Sequence, residues 1–139
     1  MPVFVDTNIV LYAISTDPRE TAKRDIAYNV LQRDDFRVST QVLLEFYAQA
    51  TRPGSDHRIS HGEASDIIIG LRRTGIIDVT QHLVFTGLEL RRITNYSMWD
   101  CMIIAAAKAG GCDTLLSEDM DHGHAIAGVT ILNPFAEPA

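Results

Sequence analysis

Residues 2–8 read Pro-Val-Phe-Val-Asp-Thr-Asn, and the fold follows from this stretch. Val3, Phe4 and Val5 make a short β-branched and aromatic run, the mark of a strand buried on both faces. Asp6 ends the run, and Ile9–Ile14 then has the length of a short helix. An acid placed where a strand gives way to a helix lies at the strand's carboxyl end, where open parallel sheets bind their ligands. Asp6 is therefore expected to be the first corner of an active site.

Outward from this stretch the same alternation repeats. Asp17, Pro18 and Glu20 are helix-start residues and predict a helix over 18–33, with Ala22, Ile26, Val30 and Leu31 facing inward. Phe36–Ser39 reads as a strand. Ser39 or Thr40 caps a helix to about Thr51, with Val42, Leu43, Phe46, Tyr47 and Ala50 on one side and Glu45 at the rim of that face. Ser60 and Glu63 form a capping box for a helix to about Arg73, which Gly75 ends. Ile76–Val79 reads as a strand, and Thr80 caps a helix to about Asn95 with Val84, Leu88 and Ile93 inside. Ser97 opens a helix that Gly110–Gly111 stops. Thr114–Leu116 and Val129–Leu132 are the last strands, with a polar loop over 120–128 between them. Strands alternating with helices predict an α/β fold, a central parallel sheet of about four to five strands flanked by helices on both faces. At 139 residues, one domain spanning 1–139 is expected.

Composition narrows the function. The two cysteines, Cys101 and Cys112, lack metal-site spacing, which predicts a reduced, cytoplasmic protein. The apolar start carries an acid at position 6 and no cationic leader, so no signal peptide is expected, and no apolar run reaches the roughly 20 residues of a membrane span. The formal charge of −6 argues against nucleic-acid binding by bulk charge alone. The cations are lopsided, however: Lys23 and Lys108 are the only lysines, and the rest are arginines, which grip phosphate in a planar fork.

Four acids stand in suggestive places. Asp6 ends the first strand and Asp119 lies just past the fourth. Asp100 shares a helical face with Ile103, Ile104 and Ala107, an apolar face that should point inward. A carboxylate there needs a reason, because an unpaired buried charge is expensive. Each acid also has a structural explanation: Asp6 as a helix cap, Glu45 as a solvated rim residue, Asp100 as a first-turn acid after Ser97, and Asp119 as a loop residue beside Glu118 and Asp121. What those explanations leave open is the recurrence of acids at sheet ends and inward helix faces. If the four converge, each raises its neighbours' pKa, and a divalent cation removes the conflict. Mg²⁺ and Mn²⁺ prefer such oxygen ligands, and one or two ions can activate water and clamp a phosphodiester.

The segments VDTNIVLY, STQVLLEFY, YSMWDCMIIAAA and LLSEDMDHG together resemble the PIN-domain ribonucleases, especially the VapC toxins of VapBC toxin–antitoxin modules. They follow the family's order and spacing over essentially the whole chain. The resemblance implies a PIN-like fold and a Mg²⁺- or Mn²⁺-dependent endoribonuclease that hydrolyses RNA. It implies Asp6, Glu45, Asp100 and Asp119 as catalytic, metal-binding acids. Thr7, Asn8 and Ser117 would support them, and Asp121 would contribute through a water. It also implies a homodimer, its surface formed by the helices after Thr40 and Ser60, and a VapB-like antitoxin as partner.

The remaining chemistry-bearing residues read more plainly. His122 and His124 are expected to be loop residues, since zinc would want more nitrogen or sulfur ligands than the loop offers. His57, His61 and His82 read as surface. Tyr96, Met98 and Trp99 are expected to be core or interface residues around a helix start, with base stacking as the other use. Three other classes compete. A haloacid-dehalogenase-type phosphatase needs a second Asp where Asn8 stands. A phospho-receiver domain needs an acceptor better than Asp78 and a strand-end lysine, whereas Lys108 falls in a helix. A catalytically inactive PIN-like scaffold would keep the fold without the chemistry.

Overall fold

A computed structural model describes residues 2–136. Its centre is a six-stranded sheet built from β1 (Val3–Val5), β2 (Phe36–Ser39), β3 (Ile76–Ile77), β4 (Thr114–Leu116), β5 (Ala125–Ile126) and β6 (Val129–Leu132), in the order β3-β2-β1-β4-β6-β5. All pairings are parallel except β5 with β6. Six helices accompany it: α1 (Thr7–Ala13), α2 (Thr21–Leu31), α3 (Thr40–Ala50), α4 (His61–Gly70), α5 (Gln81–Ile93) and α6 (Met98–Ala109). Short 3₁₀ turns at Pro18–Glu20 and Leu71–Arg73 precede α2 and follow α4.

Val3, Phe4 and Val5 are all buried, so β1 is the sheet's central spine. From it the chain moves one way to β2 and β3, then crosses to β4 on the other side. The gap between the ends of β1 and β4 is thus the topological switch point, where such sheets place their ligand crevice. α6 covers this region, and Cys101–Ala107 is apolar and buried at every residue, so these two turns are enclosed on all sides.

The expected sheet of about four to five strands has six. The extra strand, β5, falls in the segment expected to be a loop. It forms because Ala127 and Gly128, both at positive φ (53° and 85°), make a two-residue turn that folds Ala125–Ile126 back on β6. β3 is shorter than expected, because the Val79 N–H donates to the Thr40 hydroxyl (3.1 Å) rather than to the sheet ladder.

Two helices present a different face from the expected one. In α2, Ala22 and Ile26 are exposed and Ala27 is buried. The inward stripe begins at Lys23, whose ammonium lies over the Tyr12 and Phe135 rings and pairs with Glu118. A lysine on the inward face shifts the stripe by one residue. In α5 the buried set is Leu83, Gly87 and Leu90, whereas Val84, Leu88 and Ile93 are exposed. Gly87 carries no hydrophobic signal, yet it lets α5 approach α6: a Cβ there would lie 2.5 Å from Met102 Sδ and 3.1 Å from Met98 Cε.

Gly87→Val is therefore expected to destabilise the protein by about 1–3 kcal/mol through overpacking, read as a lower urea midpoint with unchanged m-value.

Candidate active site

Asp6 is buried at the switch point, 5% exposed, and serves as the N-cap of α1. Its backbone N–H still continues the sheet, donating to Leu116 O at 3.0 Å. Its Oδ1 accepts from the Thr7 N–H (2.7 Å) and its Oδ2 from the Ser117 hydroxyl (2.7 Å). Ser117 is itself fully buried just past β4. The β1–β4 register pairs Val5 with Leu116, so the next residues, Asp6 and Ser117, come level. Burial pushes the Asp6 carboxyl up from its ordinary 3.8 to about 6. The Ser117 and Thr7 hydrogen bonds oppose the rise, and the charges of Asp119 and Asp100 add to it.

The other acids reach this point through neutral donors. The Thr7 hydroxyl donates to Glu45 Oε2 (2.7 Å), so α1 carries a link to α3. Gln41, one turn before Glu45, donates through Nε2 to Glu45 Oε1 (3.0 Å) and to the Trp99 carbonyl (3.2 Å), tying α3 to the start of α6. Asn8 donates through Nδ2 to Asp119 Oδ2 (2.5 Å). The Ser117 hydroxyl also accepts from the Asp119 N–H (3.2 Å), so one serine bridges the side chain of the first acid and the backbone of the last. Asp100 stands in the first turn of α6, where its N–H donates to the Ser97 cap (3.1 Å). It is half-buried, and burial raises its carboxyl, helped by the charges of Asp119 and Glu45 and opposed by the Ser97 hydroxyl.

The four acids are thus electrostatic neighbours, with Asp100 facing the other three. They do not close into a ready-made cage: among the described residues, no group of three or more His, Cys, Asp or Glu side chains stands in metal-holding proximity. Each acid is held by a hydroxyl or amide of its own. The donor set suits a hard cation, all oxygen and no nitrogen or sulfur.

Asp121 is not among the four. The Tyr96 hydroxyl donates to its Oδ2 (3.3 Å) and lies 2.9 Å from His124 Nδ1. His122 accepts the Asn133 N–H at 2.9 Å, so both histidines are loop residues, as expected, and their bonds also fasten the loop. On the opposite side, Glu118 accepts from the Tyr12 hydroxyl (2.8 Å) and Lys23 (2.5 Å). Sequence reasoning missed Gln41, Tyr12, Lys23 and the fastening role of Glu118 and Tyr96, because only contacts distant in sequence reveal them. Trp99 is 69% exposed and so no core residue.

The raised Asp6 pKa carries a stability cost with a definite sign. The unfolded chain loses this proton near pH 3.8 and the folded chain near 6, so stability falls as pH climbs between the two. Above that window the buried charge costs up to about 3 kcal/mol. In chelated buffer, Asp6→Asn is expected to raise the urea midpoint at pH 8, with the gain fading below about pH 4.

A model of the PIN domain matches residues 3–126. Among solved structures, the chain resembles a toxin–antitoxin complex from Klebsiella pneumoniae, with a TM-score of 0.70 and 18% identity over 97% of this chain and 98% of that one. It also resembles VapBC2 from Rickettsia felis bound to a DNA fragment from their promoter, with a TM-score of 0.66 and 22% identity over 94% and 97%. A third likeness is to Mycobacterium tuberculosis VapC20, a sarcin–ricin-loop-cleaving toxin, with a TM-score of 0.62 and 19% identity over 84% and 91%. Comparison with curated proteins found no match. At these identities the solved structures speak for the fold alone, while the domain match spans most of the chain: the protein belongs to the PIN domain family.

Proposed function

We propose that the chain is a single-domain, metal-dependent endoribonuclease and the toxin of a VapBC-like toxin–antitoxin pair. The observation that carries this reading is the buried Asp6, held by Ser117 and Thr7 and in the field of Asp119 and Asp100. A buried carboxylate surrounded by like charge is costly to keep unless a cation uses it. Asp6, Glu45, Asp100 and Asp119 would hold Mg²⁺ or Mn²⁺. When bound, the cation supplies nucleophile activation and charge neutralisation at the phosphate.

The chain's own groups do the rest. Ser117 and the Thr7 N–H fix the Asp6 oxygens, so this acid is preorganised. Thr7 and Gln41 orient Glu45, and Asn8 orients Asp119. Water adds to the RNA phosphorus in line, and the 3′-oxygen leaves. Asp121, bonded to Tyr96, supports the loop that carries Asp119, and any contact of its own would run through water.

Relatives solved with antitoxins support a VapB-like partner. The exposed apolar residues Leu44 on α3 and Ile69 on α4 support the expected homodimer surface, and Val84, Phe85 and Leu88 extend it to α5. No helix among the described residues is long and apolar enough to cross a membrane. The inactive-scaffold reading is the remaining competitor. In the phosphatase reading Asn8 would have to be an acid, yet here it is the donor to Asp119.

Purified protein is expected to cut total cellular RNA into discrete fragments with Mg²⁺ or Mn²⁺ and not with EDTA. Asp6→Asn or Asp100→Asn should abolish the fragments, and Gln41→Ala should slow their appearance about tenfold. Normal cleavage by either Asp variant sinks the site assignment. No cleavage by folded, antitoxin-free wild type in either metal sinks the nuclease itself.

A further inference from the structure

The carboxyl edge of the sheet holds a second hollow beside the acids. α1 and α3 start at the ends of the adjacent strands β1 and β2 and pack against each other. Toward their C-terminal ends they enclose a cavity of about 350 Å³, lined among others by Asn8, Tyr12, Ser15, Arg52, Ser55 and His57. Asn8 also donates to Asp119, so the cavity and the acid site share a wall. From that wall to Ser15 the chain climbs roughly 10 Å along α1.

The far side of the cavity is a fastened loop, residues 51–59. The Ile59 N–H donates to Ala50 O (2.9 Å), the Arg58 N–H to Ser55 O (3.3 Å), and His57 Nδ1 lies 2.9 Å from the Thr16 hydroxyl. Lys23 pairs with Glu118 and Arg19 with Asp17, whereas Arg58, in the same loop, makes no ion pair among the described residues but does not line the cavity. The exposed Arg52 makes no ion pair among the described residues. The one carboxylate lining the cavity, Glu20, accepts the Ser15 hydroxyl at 2.7 Å. An unpaired guanidinium beside a serine hydroxyl and an imidazole is suited to an oxyanion.

Resting on the ribonuclease reading of the acid site, we propose that this cavity is a phosphate subsite of the RNA path. It takes a backbone phosphate near the one that is cut, with Arg52 as the gripping fork and Ser55 and His57 beside it. The subsite supplies the positive charge that the acids lack, and it is indifferent to base sequence because it reads only backbone.

The test is binding of a fluorescein-labelled, mixed-sequence oligoribonucleotide, followed by anisotropy in EDTA through a salt titration. Wild type, Arg52→Gln and Arg72→Gln are compared, Arg72 lying in the turn before β3, at the opposite edge of the sheet. Arg52→Gln is expected to weaken binding on the order of tenfold and to flatten the salt slope by about 0.7. Arg72→Gln should change neither. Unchanged binding by Arg52→Gln, or equal loss in both variants, overturns the subsite. Metal-dependent cleavage by the same wild-type preparation shows whether such a failure belongs to the subsite alone. Absence of both binding and cleavage brings down the nuclease reading and the subsite with it.

Discussion

One buried carboxylate sets the terms for this structure. Asp6 must lie in the gap between β1 and β4, because there its backbone extends the sheet while its side chain meets Ser117. Burying a charge is costly, and the hydrogen bonds from Ser117 and Thr7 only partly offset the cost, as the upward shift of its pKa records. The register that pairs Val5 with Leu116 is what brings donor and acceptor level. A slip of one residue would send Ser117 to the other face of the sheet and leave the charge without its second partner. Sheet pairing and site chemistry are therefore one constraint.

Around that point the protein uses neutral donors to hold acids. Thr7, Asn8, Gln41 and Ser117 each bond a carboxylate without cancelling its charge. Cationic partners would have fixed the acids as firmly but would have neutralised the negative field that a metal ion needs. Lysine and tyrosine appear one position away, on Glu118, while Tyr96 and His124 fasten the far end of the same loop. The segment after β4 is thus clamped on both sides while Asp119 between the clamps stays exposed.

The elements were legible wherever a local signal marked them. Val3–Val5, Thr114–Leu116 and Val129–Leu132 are strands at the expected bounds, and Ser39, Ser60, Thr80 and Ser97 are all helix caps. The faces of α2 and α5 were not legible, because Lys23 and Gly87 occupy inward positions that hydrophobicity does not mark. The turn that makes β5 uses Ala127–Gly128, where the familiar signal would be Asn-Gly. In the site, acids at strand ends stood out because position alone made them anomalous. Gln41 did not, since a glutamine inside a helix is ordinary until its two acceptors, on different elements, are seen.

A net charge of −6 and clustered carboxylates oppose the approach of a polyanion. The distribution of charge resolves this. Many of the arginines are spent locally: Arg19, Arg33 and Arg92 pair with carboxylates two or three residues away, and Arg73 reaches Asp34 and the Leu31 carbonyl. Such pairs cancel in the far field and contribute little to stability at an exposed surface. Among the described residues Arg37, Arg52, Arg58, Arg72, Arg91 and Lys108 make no ion pair, and of these Arg52 lines the cavity that shares Asn8 with the acid site. On the proposed reading the acids would attract a cation and Arg52 a backbone phosphate, each attraction local and short-ranged in physiological salt, so that neither needs a basic surface.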